Sequence, residues 1–343
     1  RYAAGKPLTR PEIGVLLSYA KIVLFDALIA SDLPDDPYFA STLSGYFPAK
    51  MQKTNAADID SHRLKREIVA TVLANEAINR GGPAFAVSMV DATAASAAEV
   101  VRAAIIARDG FDLTRLWSET DALDGKISGQ MQNRIYEEIG HSFTVLTRLM
   151  LKTGMAKSDI AETVSRLQAA LKKLKPSFAA QAPAEFEARQ TEFQEAGLPE
   201  KLAADIAGLP GFALVPEIMQ IAERTGEALA RAAESYFAVS QTFRIGRLLA
   251  AGNRIVTSDH YENLALARSI DQIASARRDI VISALSEHGK EKLPVQAWHA
   301  VDRIRINRIT EELSSLGDSG EPNLARITVA AGLLTDLARD RAR

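Results

Sequence analysis

Apolar residues recur at helical spacing from one end of this chain to the other, and no stretch alternates as a strand must. Ile13, Leu16, Leu17, Ala20, Leu24 and Ala27 fall three and four residues apart, the repeat that lines one face of an α-helix. Val15, Val23, Phe25, Leu28 and Ile29 fill the other sides, so this helix is apolar nearly all round and needs partners on several sides. Thr9 precedes Glu12 at capping-box spacing, with Pro11 in the first turn, where its missing N–H is harmless. No run of alternating β-branched residues spans a strand length between turn signals. The expected fold is all-α: one or two multi-helix bundles with long C-terminal helices and no significant sheet.

Turn chemistry divides the rest. Ser31-Asp32-Leu33-Pro34-Asp35-Asp36-Pro37 is a turn-forming run. A long helix is predicted over 57–80, stopped by Gly81-Gly82-Pro83. Ser96 and Glu99 make a second capping box, Asp112 is placed to cap a helix over 113–123, and further helices are expected over 128–152 and 158–174. Segment 176–183 has two prolines and little periodicity. It is the candidate boundary between subdomains 1–176 and 184–343. Four helices follow, over 227–251, 258–288, 295–316 and 323–341, with Ile306, Ile309, Leu313 and Leu316 on one face of the third.

Most motifs that carry chemistry are missing from the sequence. There is no cysteine, which removes disulfides, thiolate catalysis and thiolate metal sites. There is no G-x-G and no phosphate-binding G-x-x-x-x-G-K-[ST] loop, so a dinucleotide fingerprint is missing. No G-x-S-x-G nucleophile elbow occurs either. None of the five histidines pairs with another at i, i+4. Glu138 and His141 form a single Glu-x-x-His, where carboxylate-bridged bundles use two. Neither Glu137-Glu138 nor Glu311-Glu312 need converge, because helical neighbours point about 100° apart. A net charge of −2 gives no electrostatic reason to expect nucleic acid. The most membrane-like stretch, 13–30, is interrupted by Lys21 and Asp26, so a buried helix is expected rather than a span. Arg1-Tyr2-Ala3-Ala4-Gly5 has no signal-peptide core, and the chain begins as if cut from something longer. Lys172-Lys173-Leu174-Lys175 is expected to end a helix, and Arg303, Arg305 and Arg308 to be ion-paired or at an interface.

Leu64, Ile68 and Val72 continue at the same spacing into Asn75 and Asn79, which puts two amides on the face expected to be buried. A buried amide without partners costs roughly 1–3 kcal/mol. The two either cap neighbouring helix ends and brace the Gly81-Gly82 turn, or meet the backbone of another domain.

Leu8-Thr9-Arg10-Pro11-Glu12-Ile13-Gly14-Val15-Leu16-Leu17-Ser18-Tyr19-Ala20-Lys21 resembles a segment that follows the catalytic domain in the large bacterial NAD-specific glutamate dehydrogenases. So do Ser31 to Tyr38, Tyr46-Phe47-Pro48, His62 to Ile68, Leu73-Ala74-Asn75-Glu76, Asn79-Arg80-Gly81-Gly82, and Phe111-Asp112-Leu113 with Trp117 and Leu123-Asp124. The match covers about the first third of the chain, and Gly14 and Ser18 stand where alanine is the family residue. The resemblance implies that 1–343 is the C-terminal helical region of a long, homo-oligomeric, cytoplasmic enzyme. That enzyme would convert L-glutamate and water to 2-oxoglutarate and ammonia while reducing NAD. It also implies that the substrate lysines and nucleotide loop lie upstream, so that this region carries no catalytic, cofactor-binding or metal residue and is inactive alone. Its expected partners are the upstream catalytic domain and other copies, not nucleic acid or membrane. Arg10, Glu12, Arg66, Asn75, Asn79 and Arg80 are the positions expected to matter, in folding or in docking against that domain. A free-standing helical interaction scaffold is the alternative, and a small-molecule-sensing helical domain a third reading.

Overall fold

The computed structural model describes residues 6–181, 183–318 and 323–341, so the segment 1–5 and its expected lack of a signal core lie outside the described residues. Every regular element among the described residues is helical: nineteen α-helices and three short 3-10 turns, with no strand. No single described helix is long and apolar enough to cross a membrane. The chain folds as two compact units, Arg1–Pro216 and Glu217–Arg343.

The first unit opens with α1 (Arg10–Ile29). Three short helices follow, α2 (Ala40–Gly45), α3 (Ala49–Thr54) and α4 (Ala56–Asp60). Then come α5 (Lys65–Gly81), α6 (Phe85–Thr93), α7 (Ala97–Gly110), α8 (Leu113–Asp121), α9 (Gly129–Lys152), α10 (Ile160–Gln181), α11 (Pro183–Glu195) and α12 (Glu200–Phe212). The helix enclosed on all sides is α7, not α1. Val100, Val101, Ala103, Ala104, Ile105, Ile106 and Ala107 are all buried, and α1, α5, α6, α8, α9 and α10 pack around it. Alanine at three of these seven positions, 103, 104 and 107, helps six neighbours approach one axis. Ser96 and Glu99 cap it as predicted, with Oγ accepting from the Glu99 N–H at 3.2 Å and Oε2 from the Ser96 N–H at 2.8 Å.

Several predicted helices change. The 57–80 helix is broken at 61–64, where His62 Nδ1 accepts the Leu64 N–H at 3.2 Å. Leu64 therefore precedes α5 and is exposed, and it no longer sets the helix face. Val69, Ala70, Leu73, Ala74, Ala77 and Ile78 are the buried stripe. Asn75 is half-buried and Asn79 exposed, so the expectation of two buried amides does not hold. Asp112 takes a left-handed backbone, φ 55°, and makes no side-chain cap; its carboxylate instead accepts Arg115 Nε at 2.6 Å. Asp159, not Ser158, caps α10, with Oδ1 accepting the Glu162 N–H at 2.8 Å. α10 also runs through Pro176 to Gln181. The apolar stripe Leu167, Leu171, Leu174 continues past the proline to Phe178, and that burial outweighs the helix hydrogen bond a proline removes. Phe178 lies over Gly211 of α12, where a Cβ would come within 2.6 Å of its ring. The unit boundary falls downstream of 176–183, at Pro216/Glu217.

The second unit follows from α13 (Val215–Thr225), which begins at that boundary, through α14 (Leu229–Thr242), α15 (Ile245–Asn253) and α16 (His260–His288) to α17 (Pro294–Val301), α18 (Arg303–Asp318) and α19 (Leu324–Arg341). α16 is its spine, packed along α19 and against α14, α15 and α17. Asp259 Oδ1 caps α16 through the Glu262 N–H at 2.9 Å, and Asn323 Oδ1 caps α19 through the Arg326 N–H at 3.0 Å. The predicted 227–251 helix is two helices, because Arg244 takes φ 49° and turns the chain. The turn lets both Phe243 and Ile245 point inward, each fully buried. The predicted 295–316 helix is likewise broken at Asp302, between α17 and α18. Ile306, Ile309 and Leu313 share the buried face of α18 as expected. Arg305 pairs with Asp340, while Arg303 and Arg308 are exposed.

Candidate functional site

Of the six residues expected to matter, Glu12, Arg66 and Arg80 make local contacts. Glu12 Oε2 accepts the Thr9 N–H at 2.7 Å and so starts α1, while Arg10 is exposed beside it. Arg66 closes the other end of α1: Nη2 donates to the carbonyls of Ile29 at 3.0 Å and Ser31 at 2.9 Å, and Nη1 pairs with Asp35. A cation there satisfies orphan carbonyls and the helix dipole together. The Arg80 guanidinium lies 4.3 Å from the Trp117 ring centroid. Asn75 and Asn79 occupy the flank of α5.

The larger polar clusters are ion-paired. Tyr38 Oη donates to Asp109 at 2.8 Å, and Arg108 pairs with Asp109 at 2.7 Å and with Glu76. Burial and the Asp109 bond push the Tyr38 phenol well above its ordinary range. Glu138 faces Arg134 at 3.4 Å and Arg189, while His141 is exposed. Lys175, expected at a helix end, lies inside α10 and donates to Asp205 at 2.6 Å. Arg115 donates to the other Asp205 oxygen at 2.6 Å. Burial pushes the Asp205 carboxyl up, but Lys175 and Arg115 more than offset it and leave it below its ordinary 3.8. The stabilisation is therefore complete above that value and lost as pH falls through the lower, folded one. We expect Asp205→Asn to destabilise the first unit by about 1–3 kcal/mol at pH 7. The gap should shrink below pH 3.8. Urea unfolding of both proteins from pH 7 to 3 reads this out, and a gap that does not change with pH would refute it.

One surface is built differently. Leu16, Tyr19 and Val23 of α1, at i, i+3 and i+7, face Pro83, Val87 and Val90 at the start of and along α6, across a groove of about 480 Å³ floored by Leu24 and Ile78. Tyr19 and Val23 are each 65% exposed and Val87 61%. Among the described residues, no charged side chain lines it. The second wall exists because α6 is short and tightly placed. Gly82, at φ 86°, turns the chain out of α5, and a left-handed Ala94, φ 56°, ends α6. Phe85 and Met89 point into the core, and the Phe85 ring stacks on Phe143 of α9 at 5.2 Å. Gly81 permits this seat, since a Cβ there would lie 2.7 Å from Phe85 Cβ. With Phe85 and Met89 turned inward, Val87 and Val90 face the groove. The all-round apolar α1 was the sequence signal for this site; nothing in the sequence marked α6 as its partner.

A family model described as "Glutamate dehydrogenase, C-terminal" matches residues 5–336. Over 337 residues the chain is 31% identical to the NAD-specific glutamate dehydrogenase of Halomonas elongata, an alignment covering 96% of this chain and 21% of that protein. It is 29% identical to the NAD-specific glutamate dehydrogenase of Pseudomonas aeruginosa, over 99% of this chain and 21% of the relative. The corresponding Mycobacterium tuberculosis protein is 27% identical, over 100% of this chain and again 21% of the relative. The chain thus spans about a fifth of the length of the curated relatives it matches.

Proposed function

This chain belongs to the glutamate dehydrogenase C-terminal family, and we propose on that premise that it is the non-catalytic helical region of an NAD-dependent glutamate dehydrogenase, supporting the catalytic domain or the assembly of subunits. The observation that carries the reading is the match over nearly the whole of this chain but only 21% of each relative. The dehydrogenase chemistry is assigned to the rest of the polypeptide, in the cytoplasm. Two features support that division. The sequence has no G-x-G turn for a nucleotide. Its polar clusters are ion pairs that brace helices, such as Asp205 with Lys175 and Arg115.

Co-expression of this region with the upstream part of the same polypeptide, as two chains, tests the proposal. The expected result is that the two co-purify and that glutamate-dependent NADH formation or solubility of the upstream part requires this one. This region alone is expected to form no NADH above a blank. An upstream part that is soluble and fully active alone, and ignores this one, would overturn the reading.

A further inference from the structure

Tyr19, Val23 and Val87 leave more apolar surface uncovered on one side of the first unit than scattered surface residues do. Contiguous exposed apolar patches mark interaction sites. The chemistry of the walls narrows the occupant. Small-molecule pockets set a few convergent polar groups among apolar ones, whereas among the described residues this groove has no charged lining side chain, and the Tyr19 hydroxyl is the one polar side-chain group that lines it. A volume of about 480 Å³ takes several apolar side chains from one helix, the helix-in-groove mode of recognition. A second copy is a poor fit. A two-fold contact sets the same patch against itself, which here places concave against concave.

We propose that this groove seats an apolar-faced helix from the preceding part of the same polypeptide. The inference rests on the accessory-region reading above. The matched family is described as C-terminal, and the match leaves 79% of each relative, 100 minus 21, outside it. α1 is the first helix among the described residues and lies near the start of the family match at residue 5, so its apolar wall is the one that a preceding segment meets soonest. That segment covers the half of α1 that α5 and α7 leave open. Tyr19 and Val23 then become buried, and α1 gains the several-sided enclosure its sequence calls for.

The test uses the full-length dehydrogenase with a photo-cross-linking amino acid, p-benzoylphenylalanine, in place of Val23, in a mixture of isotopically light and heavy copies. Cross-linked peptides are expected to join position 23 to residues upstream of this region, within one copy. Adding Val87→Asp, which sets an unpaired charge in the opposite wall, should cut the cross-link yield on the order of tenfold; Val87→Ile should preserve it. Val87 is already 61% exposed, so the aspartate leaves the fold itself intact, as far-UV circular dichroism would confirm. No cross-link, a cross-link chiefly between copies, or a yield indifferent to Val87→Asp would each overturn the assignment. If that happens while NADH formation still depends on this region in the co-expression experiment, the groove's occupant is wrong and the accessory reading stands. If this region proves dispensable there, the accessory reading itself falls.

Discussion

Glu217→Gln is expected to destabilise the second unit by about 3–5 kcal/mol, the effect of leaving one member of a buried ion pair without its partner. Glu217 on α13 and Arg277 on α16 are 7% and 6% exposed. Their Oε2 and Nη2 atoms are 2.8 Å apart. Tyr236 on α14 donates its hydroxyl to the same carboxylate oxygen at 2.6 Å, and its ring centroid lies 4.3 Å from the Arg277 guanidinium carbon. Burial holds the Tyr236 phenol far above its ordinary range, so it is a hydrogen-bond donor to Glu217 at neutral pH. One carboxylate thus ties three helices together. Glutamine preserves the shape and one acceptor but removes the charge, and Arg277 then sits buried over an aromatic ring with no counter-ion. Native-state amide exchange along α14 and α16 should report the loss, because it resolves local opening free energies along the chain. The double variant Glu217→Leu/Arg277→Met should recover most of it, since apolar groups of similar volume replace buried ion pairs at little loss. A single-variant effect below about 1 kcal/mol, or a double variant worse than the single, would show that the pair is not the unit's brace.

That triad also shows where sequence reading ends. Glu217 stands in the first turn of α13, where an acid looks like ordinary dipole complementation. Arg277 stands beside Arg278 in a long charged helix and looks like a solvated face. Only tertiary packing brings the two together across 60 residues. The all-α class was legible because helical periodicity and capping chemistry are local. The boxes at Thr9/Glu12 and Ser96/Glu99 form at the predicted residues. Breaks that carry no glycine or proline were not legible. Arg244 takes its left-handed turn, and Asp302 interrupts 295–316, because burying Phe243, Ile245 and Trp298 outweighs local helix continuity. Alanine was the other blind spot. It carries little hydrophobic signal, so the larger apolar residues of α5 point to a stripe one residue away from Ala70, Ala74, Ala77, and no local pattern marks the Ala-rich α7 as the central helix. Half of the candidate groove was visible, since α1 advertises apolar residues on every side. Its α6 wall depends on where Phe85 is seated, which no local pattern states.

Phe143→Ala is expected to be the most damaging single truncation in the first unit, at about 3–5 kcal/mol. Phe143 is 2% exposed. Its ring stacks on Phe85 at 5.2 Å and meets the edge of Trp117 at 5.7 Å, and Arg80 covers the Trp117 face. Helices α5, α6, α8 and α9 therefore meet at one aromatic cluster. Removing the ring forfeits its burial and leaves a cavity that Gly81, pressed against Phe85, cannot fill from the other side. Phe143→Leu keeps much of the volume and should lose far less. Urea unfolding followed by tryptophan fluorescence separates the two, because Trp117 touches the altered site. A loss below about 1 kcal/mol for the alanine variant would mean that the cluster collapses around the gap. The same substitution bears on the groove, although Phe143 does not line it. Phe85 is one of the two buried residues of α6, with Met89, so loosening its seat frees the wall that carries Val87 and Val90. Amide exchange in α6 should then rise more than in α7, and Val23 cross-linking in the full-length enzyme should fall with no change to any residue that lines the groove. Equal acceleration in α6 and α7 would show instead that the whole unit was weakened, and that the groove wall has no separate dependence on the aromatic cluster.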